Sequence, residues 1–308
     1  MRLGFFTACF RRKPIAEVAD WASAQGFTAL EVACWPYDNT RDYSSTTIDV
    51  EALTPEEAHE INEMLKSKNL IISSLGYYDN MLHSDPRQRE AHLRHLTKVM
   101  DAAHMLGVGL VGTFIGRNIE LSVADNLKEA ERVFSDIMKY AEDRNLRVMI
   151  ENCPMVGWQQ PGIPGNLAYS PELWDELFKR IPSESFGLNF DPSHLYWLGI
   201  DYIQAAKDYR DRIFHAHAKD VELLDEGYYR YGIFGSQLGS GHGKTFWRYR
   251  LPGLGEIDWA RFISILYEIG LESGTLSIEH EDPIWEGTEE KLKAGLIMGR
   301  RHLAQYMP

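Results

Sequence analysis

The stretch Phe186-Gly187-Leu188-Asn189-Phe190-Asp191-Pro192-Ser193-His194 reads as a short β-run, apolar almost throughout, that ends on an acid and turns at once into a helix start. Apolar runs of this length suit strands buried on both faces, and Asp before Pro suits an N-cap followed by the first helical turn. Seven more such runs place the predicted strands at 3–7, 29–33, 70–75, 110–114, 148–151, 186–190, 213–217 and 275–279. Helical periodicity fills the gaps, through about 55–68, 86–106, 123–144 and 171–180. Thr54-Pro55-Glu56-Glu57 supplies an N-cap, a first-turn proline and a capping-box glutamate in order, and Ser84-Asp85-Pro86 and Ser170-Pro171-Glu172 are further starts. Gly26 and Gly107 fall where left-handed helix stops are needed. Eight strand–helix units predict a parallel sheet with right-handed crossovers, closed into a (β/α)8 TIM barrel that forms one domain over 1–308. The competing open, doubly wound sheet lacks its Gly-x-Gly-x-x-Gly turn after the first strand.

The seventh and eighth strands start about 62 positions apart, well beyond the other spacings, so a loop insertion is expected at about 222–255. It is rich in Gly, Tyr and Arg and follows the C-terminal end of a strand, where barrel enzymes carry their chemistry, so it reads as a lid or binding element. Shorter long βα loops are expected at 35–50 and 154–168.

Chemistry-bearing side chains end the last four predicted strands: Glu151, Asp191, His217 and Glu279. Adjacent barrel strands deliver their ends into one pocket, so three carboxylates and an imidazole converge there. Alone, the carboxylates would repel one another, and a divalent cation removes that conflict. Asp191 also reads as a plain N-cap, and Glu281, on the same side as Glu279 but farther out, is the rival for its place. His194 lies three positions beyond Asp191, where it can touch a metal-bound oxygen or a substrate. His215 reads as a hydrogen-bonded interior histidine, Lys219 as a residue that orients a substrate oxygen, and Asp220 as the start of a turn. Glu31, ending the second strand, suits a sugar hydroxyl or a neighbouring cation.

With 308 residues, 44% hydrophobic and 25% charged, the chain has ordinary globular composition and can bury a large core. Its net charge of −13, from 32 basic and 45 acidic residues, repels polyanions and argues against nucleic acid as a partner. No apolar run approaches the ~20 residues of a membrane helix, and the short run 3–10 precedes Arg11, Arg12 and Lys13, which is not signal-peptide order. The expectation is a soluble, cytoplasmic chain without a membrane partner. Cys9, Cys34 and Cys153 are scattered and read as small apolar fillers rather than a disulfide framework or zinc–thiolate site.

The elements Ile150-Glu151-Asn152, Asp191-Pro192-Ser193-His194, His215-Ala216-His217-Ala218-Lys219-Asp220 and Ser277-Ile278-Glu279 resemble the xylose-isomerase-like TIM-barrel superfamily of sugar isomerases, ketose 3-epimerases, inosose dehydratases and endonuclease IV. The resemblance spans essentially the whole chain. It implies that Glu151, Asp191, His217 and Glu279 are metal ligands, that Glu151 and Glu279 form an acid–base pair, and that His194 contacts substrate. An oxygen-rich set with one imidazole suits Mn²⁺ first, with Mg²⁺, Co²⁺ or Zn²⁺ as alternatives. The activity expected is a sugar isomerase or epimerase that abstracts a proton next to a carbonyl through a metal-stabilised enediolate. A dehydratase or β-eliminase on the same site, of the inosose dehydratase or 3-keto-glycoside lyase type, is the alternative. An endonuclease IV-like phosphodiesterase is disfavoured by the charge and by the lack of a second ligand set beyond His194 and His242. A non-catalytic sugar-binding barrel would not need opposed glutamates.

Trp35, Tyr37, Tyr77, Tyr78, Phe114, Trp158, Trp197 and Trp247 fall at or after predicted strand ends, where rings can pack against a small sugar or keto-sugar, Trp35 foremost. Arg248 and Arg250 in the insertion are candidates for a substrate phosphate or carboxylate. Exposed loop aromatics also suit a homo-oligomer.

Overall fold

Eight parallel strands close on themselves in the order β1-β10-β7-β6-β5-β4-β3-β2. They are β1 (Arg2–Phe6), β2 (Ala29–Ala33), β3 (Ile71–Gly76), β4 (Leu110–Thr113), β5 (Arg147–Glu151), β6 (Phe186–Phe190), β7 (Ile213–Ala218) and β10 (Thr275–Ile278), with β8 (Asp220–Leu223) and β9 (Trp247–Arg250) outside the barrel. The computed structural model describes residues 1–39, 41, 44–160, 162–239 and 243–308, so His242 lies outside the described residues. The barrel is the one read from the sequence, with strand limits moved by a residue or two. Among the described residues no helix is long and apolar enough to cross a membrane.

The helices are α1 (Ile15–Ala24), α2 (Pro55–Ser67), α3 (Pro86–Leu106), α4 (Val123–Glu142), α5 (Pro171–Arg180), α6 (Pro192–Trp197), α7 (Tyr202–Asp208), α8 (Asp225–Tyr231), α9 (Trp259–Glu268) and α10 (Glu289–Leu303). Their starts have the chemistry the sequence implied. Thr54 and Glu57 form a reciprocal capping box at the head of α2. Gly107 closes α3 in the left-handed region at φ 68°, and Gly26 stands at φ 78° after α1. Apolar helix faces pack on the outer side of the sheet, so strand residues such as Phe5, Leu30, Val148, Phe186 and Leu276 are sealed between layers. Packing on both faces leaves the strand ends, and not the sheet surface, as the place where polar side chains can meet.

The insertion is more ordered than a lid loop. It begins two residues before the expected 222 as the strand β8, which pairs antiparallel with β9, and α8 lies between them in the chain. Its base is pinned by Asp220, read from sequence as a mere turn residue. Asp220 Oδ1 accepts from the backbone N–H groups of Val221 (2.9 Å) and Ile257 (3.0 Å), and Oδ2 accepts from Gly253 N–H (2.9 Å) and Trp259 Nε1–H (2.8 Å). Burial pushes the Asp220 carboxyl above its ordinary pKa, against the pull of those four donors. Asp220→Ala would strand all four donors, so denaturant unfolding should show a loss of roughly 2–4 kcal/mol, with Asp220→Asn losing less. A loss under about 0.5 kcal/mol for Asp220→Ala would contradict this account of the hairpin's anchor.

Candidate metal and acid–base centre

Glu151 is the last residue of β5, Asp191 follows β6, His217 lies near the end of β7, and Glu279 follows β10 with its N–H on the Ala218 carbonyl at 3.3 Å. One ligand atom from each of these four lies within 4.8 Å of the others. His217 Nδ1 is 3.3 Å from Glu151 Oε1 and 3.0 Å from Glu279 Oε2. Glu281 is not in this group. Its carboxylate instead meets Lys219 Nζ at 3.2 Å.

Asp191 serves the two roles that the sequence left as alternatives. Oδ1 caps α6 by accepting from Ser193 N–H at 2.7 Å, while the buried Oδ2 has no hydrogen-bond partner. Asn152 holds the Asp191 backbone at two points: its Nδ2–H donates to the Asp191 carbonyl (2.8 Å) and its Oδ1 accepts from Asp191 N–H (2.7 Å). The ends of β5 and β6 are thereby stitched together, with Oδ2 left facing the cluster. His194 Nε2 stands 3.2 Å from Glu151 Oε1 and 3.4 Å from Asp191 Oδ2.

Lys219, 1% exposed, is the fixed cation of the site. Its Nζ lies 2.6 Å from Glu279 Oε2, 3.4 Å from Asp191 Oδ2 and 4.0 Å from Glu151 Oε1. Burial disfavours the ammonium, but the surrounding carboxylates, Glu279 first, hold its pKa well above the ordinary value. Burial also opposes ionisation of Glu151 and Glu279. Hydrogen bonds from His194 and His217 overcome that for Glu151, and the charges of Lys219 and His217 do so for Glu279, so both carboxyls are held below their ordinary pKa. Glu281 goes the other way: burial, reinforced by the charges of Glu279 and Glu151 and opposed by Lys219, pushes it up to about 7.

Beneath this cluster lies a second polar layer. Tyr78 O–H donates to Glu31 Oε1 at 2.5 Å, and Asn189 Nδ2–H donates to the Tyr78 oxygen at 2.7 Å. His217 Nε2 is 2.9 Å from Glu31 Oε2. His215 Nδ1–H donates to Asn189 Oδ1 (2.9 Å), and Ser73 Oγ lies 3.2 Å from its Nε2. Burial lowers the His215 pKa to about 4, which keeps that ring neutral. Glycine makes this layer possible, because a methyl group at Gly112 would run into the Tyr78 hydroxyl. Ligand atoms of Glu31, His215 and His217 are also close enough to hold an ion, but their polar atoms already have hydrogen-bond partners.

The donor chemistry of the upper cluster fits a divalent cation. With Nε2 of His217 turned toward Glu31 and Asn189, its Nδ1 faces two carboxylates, and either a proton or a cation must lie between them. The bare Asp191 Oδ2 asks for the same thing. Four carboxylates, Glu151, Asp191, Glu279 and Glu281, surround the single ammonium of Lys219, so added positive charge relieves the group.

Four expected substrate contacts are placed elsewhere. Glu31 is wholly buried and committed to Tyr78 and His217, so it cannot meet a sugar hydroxyl. Trp35 is 1% exposed and packed against Phe6, Tyr77 and Tyr78. Arg248 Nε pairs with Glu222 Oε2 at 2.7 Å; Arg250 pairs with Glu222 and, at 2.9 Å, with Asp282 Oδ2. Both guanidiniums therefore clamp the hairpin and are not free for a substrate anion. The residue between them, Tyr249, enters the site in their stead, with its hydroxyl 2.9 Å from His194 Nδ1. Sequence reading missed Tyr249 because it did not place 247–250 as a strand, where alternation separates neighbours onto opposite faces. It missed Asn189 and the role of Tyr78 because neither looks different from an ordinary strand or loop residue.

Comparison with known proteins agrees with this architecture. The model of the xylose isomerase-like TIM barrel family matches residues 19–302. The uncharacterized protein YfiH of Bacillus subtilis strain 168 is 26% identical over 300 residues, covering 92% of this chain and 93% of its own. Among solved structures, the IOLI protein with a bound zinc atom superposes with a TM-score of 0.69 at 17% identity, over 99% of this chain and 96% of that one. D-psicose 3-epimerase, solved in the presence of D-fructose, gives 0.67 at 12% identity, over 100% and 99%. The two structural likenesses are of fold. The match to the family model covers most of the sequence, and the chain belongs to the xylose isomerase-like TIM barrel family.

Proposed function

We propose that this protein is a divalent-metal-dependent sugar isomerase or epimerase that moves a proton at a carbon next to the carbonyl of a small sugar or keto-sugar. The observation that carries the reading is the pair Glu151 and Glu279, brought from the ends of β5 and β10 to 3.3 and 3.0 Å from His217 Nδ1, beside an Asp191 Oδ2 that accepts no hydrogen bond. D-psicose 3-epimerase among the neighbours in fold supports a sugar substrate, and the zinc atom bound by the IOLI protein supports a metal in such a barrel.

Glu151, Asp191, His217 and Glu279 would hold the cation, Mn²⁺ first by their donor chemistry, and when bound it supplies charge neutralisation and polarises a carbonyl oxygen. Held ionised, Glu151 and Glu279 are bases at neutral pH, and one removes the proton beside the carbonyl. That glutamate, now a carboxylic acid, returns the proton to the neighbouring carbon, which isomerises the sugar; inversion of the centre requires the other glutamate to deliver a proton from its own side, which Glu279 draws from the Lys219 ammonium at 2.6 Å. Lys219 and His194 present N–H donors to oxygens of the reacting group, where negative charge develops. Burial of the whole set excludes bulk water and strengthens each of these interactions.

In D₂O the Mn²⁺-loaded protein should wash deuterium into the carbon beside the carbonyl of a turned-over ketose, read by NMR. Loss of a β-hydroxyl or glycosidic group with formation of an enone would instead assign the site to elimination, and no exchange across a panel of ketoses and 3-keto sugars would remove the proposal. Glu151→Gln and Glu279→Gln should each lower kcat by about 10²–10⁴-fold while leaving the melting temperature within a few degrees.

His217→Ala should lose the metal in elemental analysis. Glu31→Gln, which weakens the support of His217 along with the Tyr78 contact and removes no metal ligand, should lower metal affinity about 10–100-fold by calorimetry. Full activity after exhaustive chelation would refute the metal part of this reading.

A further inference from the structure

The hairpin reaches the centre through one side chain. In its antiparallel register Glu222 stands opposite Arg248 and Val221 opposite Tyr249. Arg248 and Arg250 lie on one face, held by Glu222 and Asp282, so alternation sends Tyr249 to the other. On that face its ring meets His194 edge-on, with centroids 5.3 Å apart and planes at 88°, and Lys219 Nζ lies 4.5 Å from its centroid.

His194 is thus gripped at both nitrogens. The carboxylate oxygens of Glu151 and Asp191, at 3.2 and 3.4 Å, require an N–H at Nε2. At Nδ1 the Tyr249 hydroxyl, 2.9 Å away, suits either charge of the ring: it donates to the neutral imidazole and accepts from the imidazolium. A flipped ring would break both contacts, and the other tautomer would break the one at Nε2. The Tyr249 contact to Nδ1 comes from the insertion, whose base Asp220 fixes and whose upper part is clasped by the stack of Trp247 on Trp197, 4.4 Å apart and 14° from parallel.

We infer that Tyr249 is a positioning residue that fixes the orientation of His194, so that seating of the 220–250 hairpin completes the catalytic centre. The kinetic part of the inference rests on the proton-transfer reading above, and the structural part does not. Tyr249→Phe removes one oxygen and keeps the ring against Trp247, 4.7 Å away, and Lys219. In the full-length, Mn²⁺-free and Zn²⁺-loaded protein labelled with ¹⁵N-histidine, wild-type His194 should show ring-nitrogen shifts of a single hydrogen-bonded state, and Tyr249→Phe should move the Nδ1 signal. With a ketose that the wild type turns over, Tyr249→Phe should lower kcat about 10–100-fold with KM changed less than about threefold, and with metal stoichiometry and melting temperature unchanged. Tyr229→Ala, at the exposed far end of the insertion, should leave kcat near wild type.

Unchanged His194 nitrogen signals in Tyr249→Phe would overturn the inference, as would a wild-type kcat in that variant. If no sugar is turned over by the wild type, the proton-transfer reading fails while the nitrogen signals still decide the role of Tyr249.

Discussion

Negative charge gathered at the mouth of the barrel is the constraint around which this molecule is arranged. Glu151, Asp191, Glu279 and Glu281 crowd one buried ammonium, Lys219, and a carboxylate in such surroundings is stable only where a cation or N–H answers it. The fold answers in graded fashion. Glu151 has His194 and His217, Glu279 has His217 and Lys219, and Asp191 has Ser193 for one oxygen and nothing hydrogen-bonded to the other. Glu281, farthest out, is the one that burial and its neighbours drive toward protonation. A divalent ion suits the place where this gradient is steepest, which is why the imbalance itself is more informative than any single acid.

The lower layer explains how the upper one keeps its shape. Tyr78, Glu31, Asn189 and His215 contact one another inside the barrel, so a polar column runs up to His217, which both Glu31 and Asn189 meet at Nε2. Its rigidity fixes which nitrogen of His217 is presented upward. Since that column depends on Tyr78 passing over Gly112, a backbone without a side chain on β4 contributes to the centre as much as an ionisable group does.

Most of the barrel was legible in the sequence because its physics is local: continuous apolar runs mark strands, and Thr54, Asp85 and Gly107 mark helix ends through caps that need only near neighbours. Glu151, Asp191, His217 and Glu279 were legible because a barrel sends every strand end to the same face. Glu31 and Trp35 obey that rule too, yet they face a layer already filled by Tyr78 and Phe6, and packing depth is invisible to spacing. For Arg248 and Arg250 the difficulty was different. Charge suggested an anion, but the acids that claim them, Glu222 and Asp282, are 26 and 32 residues away along the chain from Arg248 and Arg250 respectively.

A closed barrel has no free strand edge, so a hairpin added after β7 must be held by side chains and not by the sheet. Its burial follows that logic. Asp220 and Val221 at the base are fully buried, Trp247 and Tyr249 are half-buried, and Tyr229, Phe234 and Leu238 at the far end are 91%, 83% and 101% exposed. Stabilising contacts are therefore concentrated where β8 and β9 pass the mouth of the barrel, and they thin out with distance from it. An element that served only to cover the site would place its apolar side chains over the opening. This one instead spends its buried contacts on holding Trp247 and Tyr249 beside Trp197, His194 and Lys219, which is what an insertion that contributes to the reacting centre requires.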